Sequence, residues 1–232
     1  MKIFRKIISI FTSCALIFSF MCIDVNAATN DLNDRIEREY SKDGYKLKEI
    51  VNYKYDKNGN IVNKKIITDE KEIKEQLKKD IINENKKQSF ANANRYNNLN
   101  SSVSPMSWGD LRVIKGWTGS YRVHLRNVYG GPGGTLSASI NEGFSTTLST
   151  TTSVSNSIIS SGLGISVQSS VSVNQSYSHP VSAGNYGRID VGVERNTVNF
   201  DIQKQGLFGG WKNVGEGDYD YVIGASFRYY ES

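Results

Sequence analysis

From Gly143 to Gly187 the chain runs for 45 residues without an Asp, Glu, Lys or Arg. Between 144 and 176, 17 of 33 residues are Ser or Thr, and they alternate with larger side chains. On the first arm the even positions are Phe144, Thr146, Leu148, Thr150, Thr152, Val154, Asn156 and Ile158, while every odd position from 145 to 157 is Ser or Thr. On the second arm the apolar residues move to odd positions, at Leu163, Ile165, Val167, Val171, Val173 and Tyr177. A period of two is the signature of a strand, and a change of parity is what a hairpin needs if one face is to stay apolar. The change falls at Ile158-Ile159. It predicts a four-residue turn, Ile159-Ser160-Ser161-Gly162, with Gly162 at positive φ. In that register Phe144 faces Tyr177, Leu148 faces Val173, Val154 faces Val167 and Ile158 faces Leu163.

Arms of about 15 residues would extend about 50 Å. Ordinary strands have about 5–6 residues, and a strand that crosses a bilayer needs about 9–11. One face of the hairpin is neutral and hydroxyl-lined. The other carries no charge, each of which costs about 2–4 kcal/mol for Lys or Arg at the bilayer midplane. Ile158 and Ile159 place apolar residues at the predicted tip. Soluble sheets usually put charges on exposed faces to block edge pairing. The same alternation also suits a half-buried hairpin in a soluble β-sandwich, and that reading stays open.

The rest of the chain divides by composition. Residues 28–104 hold 16 Lys/Arg and 13 Asp/Glu, and residues 105–232 hold 9 of each. The Asn- and Ser-rich stretch 92–104 reads as a linker. Before it, 28–91 reads as a small charged ββα segment, either an appendage or a removable propeptide. Tyr45 to Tyr55 alternates as a strand, Asn58-Gly59 signals a two-residue turn, Ile61 to Ile67 returns, and Thr68 or Asp69 caps a helix to about Lys87. Its apolar stripe is narrow: Ile73, Leu77, Ile81 and Ile82. After the linker, 105–232 reads as all-β, with strands at 117–129, 136–140, 188–193, 197–202 and 219–230. Gly130 to Gly134, Gly206 to Gly210 and Gly215-Glu216-Gly217 punctuate them. The fold class is therefore mainly β: an elongated antiparallel sheet or sandwich with a long amphipathic hairpin.

Residues 1–27 carry Lys2, Arg5 and Lys6, an apolar run from Ile7 to Ile23, and small residues around Ala27. That is the pattern of a secretory signal peptide, so the expected location is extracellular. A membrane anchor is the rival, although the run is short for a spanning helix. Loss of Lys2, Arg5, Lys6 and Asp24 with the leader changes the net charge from +5 to +3. That is too mild to argue for nucleic acid. Both cysteines, Cys14 and Cys22, lie in the leader, so thiol chemistry is not expected beyond it. Two histidines 55 residues apart and no carboxylate cluster point to no enzyme, no metal site and no cofactor.

A Ser/Thr-rich amphipathic hairpin with an apolar tip, in an exported all-β chain, resembles the insertion hairpin of aerolysin-like β-pore-forming toxins. The alternation also resembles secreted Ser/Thr-rich proteins of Gram-positive bacteria whose function is not known. The first resemblance implies a protein that binds a lipid membrane or a cell-surface receptor, assembles into a ring of identical chains and contributes one hairpin per chain to a barrel. The residues expected to insert are Phe144, Leu148, Val154, Ile158, Ile159, Leu163, Ile165, Val167, Val171, Val173 and Tyr177. Trp108, Trp117, Tyr129 and Trp211 are candidates for surface-binding aromatics. Arg122, His124 and Arg126 share a parity that would suit an anionic headgroup, and Asp218, Asp220 and Glu216 are a weak cation candidate. The rival function is adhesion or cell-surface binding without insertion.

Overall fold

The computed structural model describes residues 25–56, 58–97, 111–206 and 209–232. Most of the leader, part of the linker (98–104) and Trp108 lie outside the described residues. The described residues fall into two units that divide between Glu39 and Tyr40. The first contributes helix α1 (Val25–Tyr40), which begins within the predicted leader.

The second unit is built on two very long strands, β8 (Gly187–Gln205) and β9 (Trp211–Glu231). They pair antiparallel along their whole length, from Gly187↔Glu231 to Gln205↔Trp211. At about 3.3 Å per residue each exceeds 60 Å. β4 (Leu111–Gly130) flanks β8 from end to end. β9 has two successive neighbours on its other side. β2 (Tyr45–Tyr55) pairs with Lys46↔Glu231 to Lys54↔Gly224, and the four-residue β6 (Thr147–Thr150) pairs with Asp220 to Gly217. β1 (Ser41–Lys42) and β3 (Ile61–Ile67) pair with β2. The charged N-terminal segment is thus joined to the all-β part within one sheet, and the shift in composition does not mark a break in that sheet.

Local chemistry explains the connections. Gly59 takes φ 82° in the β2–β3 turn, as the Asn-Gly signal predicts. Asp69 caps α2 (Glu70–Asn97), its Oδ1 accepting from Glu72 N–H at 3.0 Å. Ile73, Leu77 and Ile81 are buried, as their spacing predicts. The helix runs ten residues past the predicted end at Lys87, through the first part of the predicted linker.

Gly215-Glu216-Gly217 is no turn. It lies inside β9, where glycine meets close neighbours: a Cβ on Gly217 would stand 2.5 Å from the Phe200 ring and from the Ser149 carbonyl oxygen. The 188–193 and 197–202 segments are one continuous strand. Bulges shift the register in β9 beside Ile223 and in β4 beside Leu125.

Gly224 is the tightest point between β2 and β9. A Cβ there would lie 1.8 Å from the Tyr53 carbonyl oxygen. In an ordinary strand Gly→Ala stabilises by about 0.5–1 kcal/mol. Here Gly224→Ala is expected to destabilise by about 3 kcal/mol or more, read as a lower denaturant midpoint and faster proteolysis of β2.

Candidate functional site, an amphipathic ribbon clasped to the sheet

The uncharged stretch does not form one continuous hairpin in this structure. β5 (Gly134–Ser145) and β7 (Ser170–Val181) make a separate two-stranded ribbon, paired from Gly134↔Val181 to Ser145↔Ser170. Phe144 therefore faces Val171, not Tyr177, and Val173 faces Glu142. The register is displaced by six from the predicted one. Leu148 lies in β6 opposite Tyr219. Ile158, Ile159 and Leu163 are not at a hairpin tip: Asn156–Leu163 is a helix, α3. Ser155 caps its start and Gly164, at φ 68°, ends it. Gly162 sits inside the helix, so the left-handed residue is two positions later than predicted. Val154, Ile165 and Val167 lie in the segments flanking α3.

The ribbon is amphipathic in the predicted sense. Leu136, Ala138, Ile140, Val173, Tyr177 and Val181 are buried against Val51, Tyr53, Ile189, Val191, Phe227 and Tyr229 of the main sheet, with Phe144 and Val171 partly buried beside them. The opposite face is exposed and neutral: Ser137, Ser139, Asn141, Gly143 and Ser145 on β5, and Ser170, Ser172, Asn174, Ser176 and Ser178 on β7. Ser137 and Ser178 hydroxyls meet at 2.8 Å across it.

No backbone ladder joins this ribbon to the main sheet. Side chains do the fastening. Tyr177 OH donates to Glu49 at 2.8 Å, Tyr55 OH donates to Gln175 at 3.3 Å, and Arg126 bridges to Glu142 at 3.1 Å and to the Ser139 carbonyl. Tyr177 stacks on Phe227, and His179 on Tyr229 with ring centroids 3.9 Å apart. Burial, then the bond to Glu49, pushes the Tyr177 hydroxyl well above its ordinary pKa, so it stays a donor.

The remaining predicted insertion residues sit lower on the sheet. Ile159 and Leu163 are buried with Val113, Val198, Phe200, Ile202 and Tyr219, and Leu148, Val154, Ile158, Ile165 and Val167 pack around them. The sequence pattern thus joined residues that the structure divides between two cores.

The predicted surface aromatics do not form one patch. Trp211 pairs with Gln205 at one end of β8, and Tyr129 pairs with Arg188 at the other. Trp211 is stacked under Arg112, and Tyr129 is 59% exposed with Tyr45 at its edge. The bulge beside Leu125 also separates the basic parity set. Arg122 reaches Ser226 and the Asp190 carbonyl, whereas Arg126 reaches the ribbon.

The sheet's other face carries a charge network that the sequence did not disclose. Asp220 accepts from Tyr121, Thr197 and Arg195 and pairs with Lys87 of α2 at 2.9 Å. Burial alone would raise its carboxyl, but these donors outweigh burial and hold it below the usual range. It is a structural anchor for α2 rather than a cation ligand, and no cluster fit for a metal occurs among the described residues. Asp80 of α2 pairs with Arg228 at 2.5 Å. Arg188 is fully buried and doubly bonded to Asp190.

No family model and no curated protein matches this chain. Among solved structures, one from Bacteroides vulgatus described as a candidate pore-forming toxin is similar over 53% of this chain and 55% of that one, at 10% identity and a TM-score of 0.28. This is a weak structural similarity to a candidate pore-forming toxin.

Two outcomes follow from the geometry. Tyr177→Phe removes a donor to Glu49 and should cost about 1–2 kcal/mol, seen as faster hydrogen exchange in β7 with β8 unchanged. Glu194 has its carboxyl pushed up to about 7, first by burial and then by Asp80, against Lys54, Arg122 and Arg228. Because the folded value lies above the unfolded one, its contribution is full below about 4.5 and is lost as pH rises through about 7. Glu194→Gln should therefore stabilise by about 1–3 kcal/mol at pH 8–9 and little at pH 5, measured by urea unfolding across that range.

Proposed function

We propose that the protein is an exported membrane-permeabilising protein in which residues 134–181 extend into one long hairpin whose uncharged end, 143–172, enters the bilayer. The observation that supports this most strongly is the register of the ribbon. Thr146 N–H already donates to the Ser169 carbonyl at 3.0 Å, one step beyond the last strand pair and in the same register. Continuing it sets Leu148 against Val167, Thr150 against Ile165, Thr152 against Leu163 and Asn156 against Ile159. On the other face it sets Thr147 against Gln168, Ser149 against Ser166, Thr151 against Gly164 and Ser155 against Ser160. Val154 then faces Ser161, so every Val and Leu of the extension, with Ile159 and Ile165, falls on one face, diluted there by Thr146, Thr150, Thr152, Asn156 and Ser161, up to a two-residue turn at Ser157-Ile158.

The length over which both arms are uncharged is then 14 residues, 143–156 paired with 159–172, more than the roughly 9–11 that a tilted strand needs to cross. Glu142, on the lipid-facing parity and paired with Arg126, marks where the membrane portion ends. The refolding demanded is modest. α3 has eight residues, too few to persist without its packing. β6 gives up a four-residue ladder. Neither outer edge of the ribbon pairs with another described strand. Those edges allow β5 of one chain to meet β7 of the next, and closure into a ring would satisfy the backbone groups that lipid cannot. No described helix is long and apolar enough to cross a membrane, which says nothing of strands.

The test is a reversible lock. Ser149 and Asp218 are cross-strand partners of β6 and β9. A Ser149→Cys, Asp218→Cys pair should block dye release from vesicles when oxidised and restore it when reduced. Equal leakage in both states would refute insertion of this segment. A dye placed at position 148 should report lipid and one at 149 should report water. Binding to cells with no leakage from any lipid mixture would favour the adhesion reading.

A further inference from the structure

On the face opposite the ribbon, α2 and the β2–β3 hairpin enclose a polar cavity of about 300 Å³. Lys54 of β2, Lys65 of β3 and Lys79 of α2 line it, and none of the three makes an ion pair or hydrogen bond with another described residue. Inside, the lining is side-chain amide and carboxyl: Asn52, Asn63, Gln76 and Asn83, with Asp80 and Glu194. Asp80 is held by Arg228 and Gln76, whereas Glu194 has no hydrogen-bond partner among the described residues. Asn83 is fixed by donating to the Ser120 carbonyl at 2.7 Å, and Asn52 accepts from Ser226 at 2.8 Å. The cavity is therefore walled by side chains on four strands and a helix.

The chemistry is specific. Lys65 and Lys79 make no ion pair with a described residue and Lys54 faces only Glu194, so the site calls for a negative charge. Two carboxyl groups in the same space oppose a compact anion such as phosphate, yet they accept hydrogen bonds from hydroxyls. Fixed amides offer donor and acceptor together. The volume is at the lower end for small-molecule sites. A polyhydroxylated ring with one anionic substituent meets all four conditions. We propose that this cavity binds an acidic sugar, a pyranose bearing a carboxylate or a sulfate.

This inference is independent of membrane insertion, and its test contains no membrane. Isothermal titration of the full chain with 3′-sialyllactose, a sulfated heparin disaccharide, lactose and inorganic phosphate separates the contributions. Binding of either acidic sugar, at least about tenfold tighter than lactose and phosphate, supports the proposal. So does a loss of about tenfold or more in the Lys54→Gln, Lys79→Gln double variant. Both lysines are exposed, so that variant should keep its unfolding midpoint. Asn63→Leu, also on an exposed position, should weaken the acidic sugar and lactose alike. Phosphate binding as tightly as the sugars, sugar binding indifferent to the lysine changes, or no binding of either acidic sugar at about 10 mM would overturn it.

Discussion

The ribbon is fastened to the main sheet through one face only, and without a backbone ladder. A ladder would add directional bonds at every second residue, all to be broken before the ribbon could leave. A side-chain seam has no such register to unzip. Each large aliphatic residue in it contributes about 1.5–3 kcal/mol, enough to hold the ribbon in water. The polar fastenings are few and local, centred on Glu49 with Tyr177 and His179, and on Arg126 with Glu142 and Ser139. Everything proposed about release depends on this asymmetry between a continuous β8–β9 platform and a ribbon that merely lies on it.

The two faces of the platform differ in kind. Under the ribbon it is aliphatic and aromatic. Under α2 the buried Ile73, Leu77 and Ile81 are joined by charge, with Arg228–Asp80 and the Asp220 cluster fixing the helix. Buried ion pairs add little net stability, because desolvation offsets attraction, but a broken pair is severely penalised. They therefore fix position rather than strength. α2 is pinned in register at Asp80, Asn83 and Lys87, while the ribbon is held by contacts that tolerate sliding and removal. Under the proposed function, one sheet would carry a face that stays and a face that exchanges its cover.

Much of the architecture was legible in the residues. Alternation identified the strands, Asn58-Gly59 the hairpin turn, and Asp69 the helix cap. The split between a neutral hydroxyl face and an apolar face was also legible. The register was not. Period two distinguishes odd from even sums and nothing more, so the predicted pairing and the observed one, six apart, fit the pattern equally well. Ile158, Ile159 and Leu163 also match a helical i, i+4 spacing, and packing against Phe200 and Ile202 decided for α3. The bulges beside Leu125 and Ile223 invert parity with no compositional mark, which is why Arg122 and Arg126 were wrongly placed on one face. The Asp220 network joins residues from four distant segments, and no local pattern announces such a cluster.

The equivalence of registers has a physical consequence. A segment whose pattern fits one pairing only would resist rearrangement. Residues 146–169 are packed here as β6 and α3 on the lower sheet, and in the proposed inserted state they would extend the ribbon in its existing register. Ser157, Ser160, Ser161 and Gly162 make α3 a poor helix in isolation, so its stability resides in the apolar contacts of Ile159 and Leu163. Any surface that competes for those two side chains removes the reason for the helix. The backbone then has a ready partner in the strand pair already formed at Ser145 and Ser170. A charge within this segment would favour the watery arrangement over the other. Its absence over 45 residues leaves both arrangements open to one sequence.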